Sequence, residues 1–157
     1  MQRVIRGVGG AALVVALAGA AAAQRLPAVA GAADAATLVG TWQVVSIEAD
    51  GNTSRPEDAR KIKVVNTGDG GWTVFAEGRM VAKGTSELLA WSVPKGIDFI
   101  VTETADGGDG RRHQGIYELD QNTRRLCFAG PDAPRPTAFA AAKGSGHVLV
   151  TMERVPD

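Results

Sequence analysis

"LVGTWQVVSIEADG", Leu38–Gly51, is where the chain changes texture. Ahead of it, "QRLPAVAGAADAAT" at Gln24–Thr37 is Ala-rich and weakly patterned, and Pro27 and Gly31 weaken any helix there. From Gly40 onward the chain turns to short runs of alternating apolar and polar residues. Val44, Val45 and Ile47 carry the first run, and "DGN" at Asp50–Asn52 closes it. Such a run, bounded by turn residues, reads as a strand.

Working C-terminally, Pro56 and the Ser54/Glu57 spacing predict a short helix after the first strand, opened by a capping box. Ile62–Asn66, Trp72–Glu77 and Met80–Leu88 read as further strands, split by "TGDGG" and by a tight turn at Gly78. "IDFIVTE" at Ile97–Glu103 puts Ile97, Phe99 and Val101 on one face. "QGIYELD" and "RRLCFAG" flank a hairpin turn, and "HVLVTMER" at His147–Arg154 is the last strand. "PDAPRP" at Pro131–Pro136 cannot be a central strand. Eight strands with short connections and no βαβ spacing predict an all-β antiparallel meander. A meander of that size avoids raw edges by closing into an up-and-down barrel. A two-sheet sandwich is the alternative, and it needs longer crossings.

Upstream, Arg3 and Arg6 make a basic start, an apolar run spans Val8–Leu17, and "AAAQ" at Ala21–Gln24 supplies an A-x-A site. The expected organisation is a signal peptide at 1–23, an Ala-rich disordered lead at 24–37 and a barrel domain at 38–155. The run is short for a membrane span, which needs roughly 20 strongly apolar residues. An uncleaved anchor is the other reading. No Cys follows the run, against a lipoprotein signal, and the two arginines are not adjacent, against a twin-arginine signal. The expected compartment is extracytoplasmic, periplasmic or secreted, with no membrane span after cleavage.

The chain of 157 residues carries 17 basic and 17 acidic side chains; losing Arg3 and Arg6 leaves the mature form near −2. That balance predicts no nucleic-acid partner. Arg111-Arg112 and Arg124-Arg125 are the paired basics, each flanking a turn, and read as solvated strand ends. Cys127 is the single cysteine, so no internal disulfide holds the fold. Between Leu126 and Phe128 it reads as a buried, inert thiol.

Specific chemistry is sparse. "DGGDG" at Asp106–Gly110 shows two carboxylates, too few for calcium, and reads as a flexible loop. His113 and His147 have no ligand-spaced partners, which predicts no metal site. "GTSEL" at Gly84–Leu88 is not a nucleophile elbow. No Gly-rich loop leads into a long helix to cradle phosphate. The expectation is therefore no catalytic residues, no cofactor and no enzyme.

"LVGTWQVVSIEADG", "GIYELD", "LCFAG", "RPTAF" and "VLVTMER" together resemble the uncharacterised lipocalin-like domain family expanded in planctomycete bacteria. The resemblance covers roughly Leu38 to Val155. It implies a lipocalin-like barrel in an extracytoplasmic protein and assigns no activity. It also implies a structural pair. In such barrels a Trp just after a Gly on the first strand closes one end, and an Arg late on the last strand lies across it. Here these are Trp42 and Arg154, and in a closed even-stranded meander the start of the first strand meets the end of the last.

Two functions remain. One is a binding module that holds a small, partly apolar ligand in the barrel. The other is a non-enzymatic module with a filled core that contacts an envelope protein. Bulky side chains are few, at three Trp, four Phe and one Tyr, which leans toward a pocket.

Overall fold

The computed structural model describes residues 27–107 and 110–157. The expected signal peptide and its cleavage after Ala23 lie outside the described residues, as does part of the Asp106–Gly110 loop. The elements run α1 (Pro27–Leu38), β1 (Gly40–Ala49), β2 (Asn52–Thr53), α2 (Pro56–Ala59), β3 (Ile62–Asn66), β4 (Gly71–Ala76), β5 (Arg79–Leu89), β6 (Gly96–Thr104), β7 (Arg112–Leu119), β8 (Thr123–Phe128) and β9 (Val148–Arg154).

One antiparallel sheet holds all the strands, in the order β2-β1-β3-β4-β5-β6-β7-β8-β9, and β1 also pairs with β9. That last pairing closes β1 and β3–β9 into an eight-stranded barrel, while β2 only extends the end of β1. Closure removes the free edges that a meander of this size would otherwise expose. Register shifts at Val44/Ser46, Val74/Phe75 and Lys83/Gly84 add local twist, which a small barrel needs to close. At the third of these only glycine fits. A Cβ on Gly84 would overlap the Ile100 carbonyl and the ring of Trp72, which crosses β5 there.

Period-2 alternation sends one set of side chains inward. Trp42, Val44, Ile97, Tyr117, Leu126 and Met152 form the buried core within the barrel. A second cluster lies outside the wall. Ile116, Cys127 and Leu149 point outward from β7, β8 and β9 and are covered by Phe139 and Ala141. The cover belongs to the long connection between β8 and β9. Arg135 pins it, donating from Nη1 to the carbonyls of Gly115 (2.6 Å) and Ile97 (3.1 Å), and from Nη2 to Asp98 Oδ1 (2.7 Å).

Two expectations need correction. The segment expected as a disordered lead is helical over Pro27–Leu38. Pro27 takes the first helical position, where its missing N–H costs nothing, and alanine is the best helix former. Tertiary contacts secure the helix: Gly31 lies against Ala90, and Asp34 bonds to β7. The capping box of α2 does not form. Its N-cap is Arg55, with no side-chain cap, while Ser54 Oγ accepts from the Ile47 N–H at 3.0 Å.

Candidate functional site

Strand directions put the start of β1 and the ends of β3, β5, β7 and β9 at one end of the barrel. This end is closed. Trp42 is fully buried there, and its Nε1 donates to the Leu38 carbonyl at 2.8 Å, tying the ring to the end of α1. Trp42 and Arg154 are register partners, and the guanidinium lies over the indole with its carbon 4.3 Å from the ring centroid. Arg154 also donates from Nε to the Gln121 carbonyl (2.6 Å), from Nη1 to that of Val39 (2.8 Å) and from Nη2 to that of Thr37. One cation thus stacks on the plug and satisfies carbonyls from the α1–β1 junction and the β7–β8 turn.

α1 covers the same end. Asp34 Oδ2 accepts from the Tyr117 hydroxyl (2.6 Å) and from Lys95 Nζ (2.8 Å), joining the helix to β7 and to the β5–β6 turn. Burial first, and then the bond to Asp34, hold the Tyr117 phenol protonated well above its ordinary range.

Above the plug the barrel encloses a cavity of about 380 Å³. Its wall is mostly aliphatic and aromatic, with Val64, Val74, Phe99, Val101, Phe128 and Val150 among the contributors. Exposure rises along it. Val44, Ile97 and Met152, nearest the plug, are at most 2 % exposed, whereas Val101, Phe128 and Val148 toward the far end are only partly buried.

The polar atoms of this lumen are few and mostly unmatched. Asn66 Nδ2, Trp72 Nε1, and Nε and Nη1 of Arg124 are buried and have no hydrogen-bond partner. Arg124 is 5 % exposed. Among the described residues no carboxylate pairs with it, and none lines the cavity. Desolvation lowers its pKa to about 10, with Tyr117 as the smaller, opposing cause, so it stays cationic at neutral pH. An unpaired buried cation carries a desolvation cost of several kcal/mol.

The expectation that Arg124 is a solvated strand end is therefore wrong for one member of its pair. Arg125 does face outward, bonding to Glu118 (2.8 Å) and lying over Phe139 (4.7 Å). Arg124 faces inward because it shares the period-2 face of Leu126 and Phe128. That alternation was present in "RRLCF" and was the signal to read. The other basic pair is exposed: Arg111 meets Asp132 at 3.2 Å and Arg112 meets Asp98.

The remaining candidates fall apart in space. His113 lines the lumen, with Nδ1 3.2 Å from the Ala129 carbonyl and its ring stacked on Phe99 at 4.9 Å. His147 sits just before β9, away from it. Among the described residues no three or more His, Cys, Asp or Glu gather into a metal-sized cluster. Ser86 lines the lumen and donates to the Gly70 carbonyl at 3.3 Å. Cys127 is fully buried on the outer face, its Sγ 3.5 Å from the Ala140 carbonyl, and burial raises its pKa. No described helix is long and apolar enough to cross a membrane.

Compared with known proteins, the chain matches no family model, no curated protein and no solved structure.

Proposed function

We propose that this chain is an extracytoplasmic, lipocalin-like binding module, a member of the uncharacterised family it resembles, that holds a small, partly apolar molecule in its lumen without chemical turnover. The apolar cavity of about 380 Å³, shut at the Trp42 end, carries this reading. That volume is within the range of small-molecule pockets. A barrel serving only as a scaffold would instead be filled to a packing density of about 0.74. The other reading, contact with an envelope protein, draws on Trp91 (67 % exposed) and Val93 (97 % exposed) in the β5–β6 turn.

Binding of the uncharged apolar fluorophore N-phenyl-1-naphthylamine tests the lumen. Emission should rise with the wild-type chain and fall back with Ala82→Trp, which fills the lumen and leaves Trp91 and Val93 in place. No rise with folded protein, or a rise that Trp91→Ser abolishes and Ala82→Trp spares, would sink the lumen reading and favour the surface. Cleavage after Ala23 is read separately, from the N-terminus of the exported protein: Gln24 is expected, and retained Met1 refutes it.

A further inference from the structure

Arg124 is hard to explain as part of a structural core. Position 124 in β8 faces Met152, which in turn faces Val44, and all three side chains line the lumen. A methionine or leucine there would pack the same wall without a stranded charge. The barrel instead keeps a guanidinium that is 5 % exposed and leaves its Nε and Nη1 without acceptors. Asn66 Nδ2 and Trp72 Nε1 line the same cavity in the same unsatisfied state. The cavity thus offers a cation and two neutral donors, and no carboxylate among its described lining residues. Buried donors without acceptors are uncommon in folded proteins, and several around one void ask for an acceptor that the chain does not supply.

We propose that the lumen takes an apolar molecule with a singly charged anionic head of the carboxylate class, and that Arg124 binds that head. The proposal rests on the lumen being a ligand site. Three features select the class. A guanidinium offers a carboxylate two parallel N–H bonds, the geometry that makes arginine its usual partner. One cation balances one negative charge, whereas the second charge of a phosphate monoester would lie uncompensated among aliphatic groups. The rest of the wall is apolar and suits a hydrocarbon body. Arg124 lies in the half of the barrel nearest the plug, since Met152, its partner, is two positions from Arg154 above Trp42. The head therefore sits toward the plug and the body extends away from it. The cavity of about 380 Å³ is within the size range of small-molecule pockets.

Titration calorimetry of the full chain with four decyl compounds tests this: decanoate, decanol, decyl phosphate and decyltrimethylammonium. Wild type should bind decanoate roughly 10- to 100-fold more tightly than decanol, the usual worth of a charge-assisted hydrogen bond in a dry site, and should reject the cation. Arg124→Met should abolish the decanoate preference over decanol. It should melt no lower than wild type without ligand, because an unpaired buried charge is gone. Equal wild-type affinities for decanoate and decanol overturn the assignment of Arg124 and leave the lumen reading intact. Decyl phosphate binding as tightly as decanoate overturns the carboxylate class. Absence of binding by every decyl compound overturns the carboxylate assignment, and the lumen reading falls with it if N-phenyl-1-naphthylamine also fails to bind. The wild-type comparison needs no variant, so it decides even if Arg124→Met fails to fold.

Discussion

At Gly40 the backbone has φ +122°, and a Cβ would come within 2.8 Å of Arg154 Nη1. Both facts have one origin. The chain turns sharply out of α1 so that Trp42 can enter the barrel end, and the guanidinium lies across the turn. Gly40→Ala should therefore destabilise the protein by about 2–3 kcal/mol, part from the strained backbone and part from displacing the arginine. The second part should vanish in an Arg154→Ala background, so a urea-unfolding double-mutant cycle should show coupling between the two sites. Additive costs would mean that the arginine yields freely. The same residue scale explains why Arg124 escaped the sequence reading. A double arginine beside a turn is usually solvated, and the alternation with Leu126 and Phe128 that strands one of the two was passed over.

At the scale of elements, the β8–β9 connection acts as an outer layer. Asp98 is 5 % exposed, and the half-buried Arg135 supplies both one of its two cationic partners and the clamp on two carbonyls of β6 and β7. Arg135→Ala should destabilise by about 2–4 kcal/mol, since it leaves a buried carboxylate with Arg112 alone and two carbonyls less satisfied. It should also loosen the segment over Cys127. Native-state labelling of the thiol should be slow in wild type and much faster in Arg135→Ala. Equal labelling rates would show that the cover is held by Phe139 and Ala141 without the arginine. α1 is the other element that sequence reasoning misjudged. Its composition permits a helix, but a short isolated helix is marginal in water. The bonds from Asp34 to Tyr117 and Lys95 span 83 and 61 positions, and nothing local announces them.

For the whole molecule, stability should fall on the alkaline side in a defined order. Folding raises the pKa of Cys127 above 9.0 and that of Tyr117 above 10.0, in both cases chiefly through desolvation. The unfolded chain then loses these protons at lower pH than the folded one. Their contributions are complete below those values and are lost as pH rises through the folded pKa. Melting temperature should start to drop near pH 9 as Cys127 titrates; above pH 10 Tyr117 adds to the drop, while Arg124, lowered to about 10 by desolvation, opposes it. Tyr117→Phe should flatten the second part and spare the first; Cys127→Ala should do the reverse. Identical alkaline profiles for Tyr117→Phe and wild type would show that the phenol titrates without effect on the fold. Tyr117 and Cys127, whose burial opposes alkaline ionisation, thus lie on opposite faces of one wall, Tyr117 inside and Cys127 outside.

The eight barrel strands, their order of appearance and the shared face of Ile97, Phe99 and Val101 were legible in the sequence, because period-2 alternation and turn residues are local signals, while β2 and the inward Arg124 were missed. The same signals place Cys127 opposite Leu126 and Phe128. They do not place Arg135 over Asp98, Asp34 beside Tyr117, or a void beside Arg124. Those depend on how far the sheet curls before it closes and on how much of the interior its side chains fill. Closure is a long-range event: β1 pairs with β9 across most of the chain, and both the Trp42 plug and the polar atoms left over in the lumen follow from that pairing. The sequence by itself determined the wall, while tertiary structure alone decided the space inside it, because a cavity is what packing leaves empty and no residue encodes it.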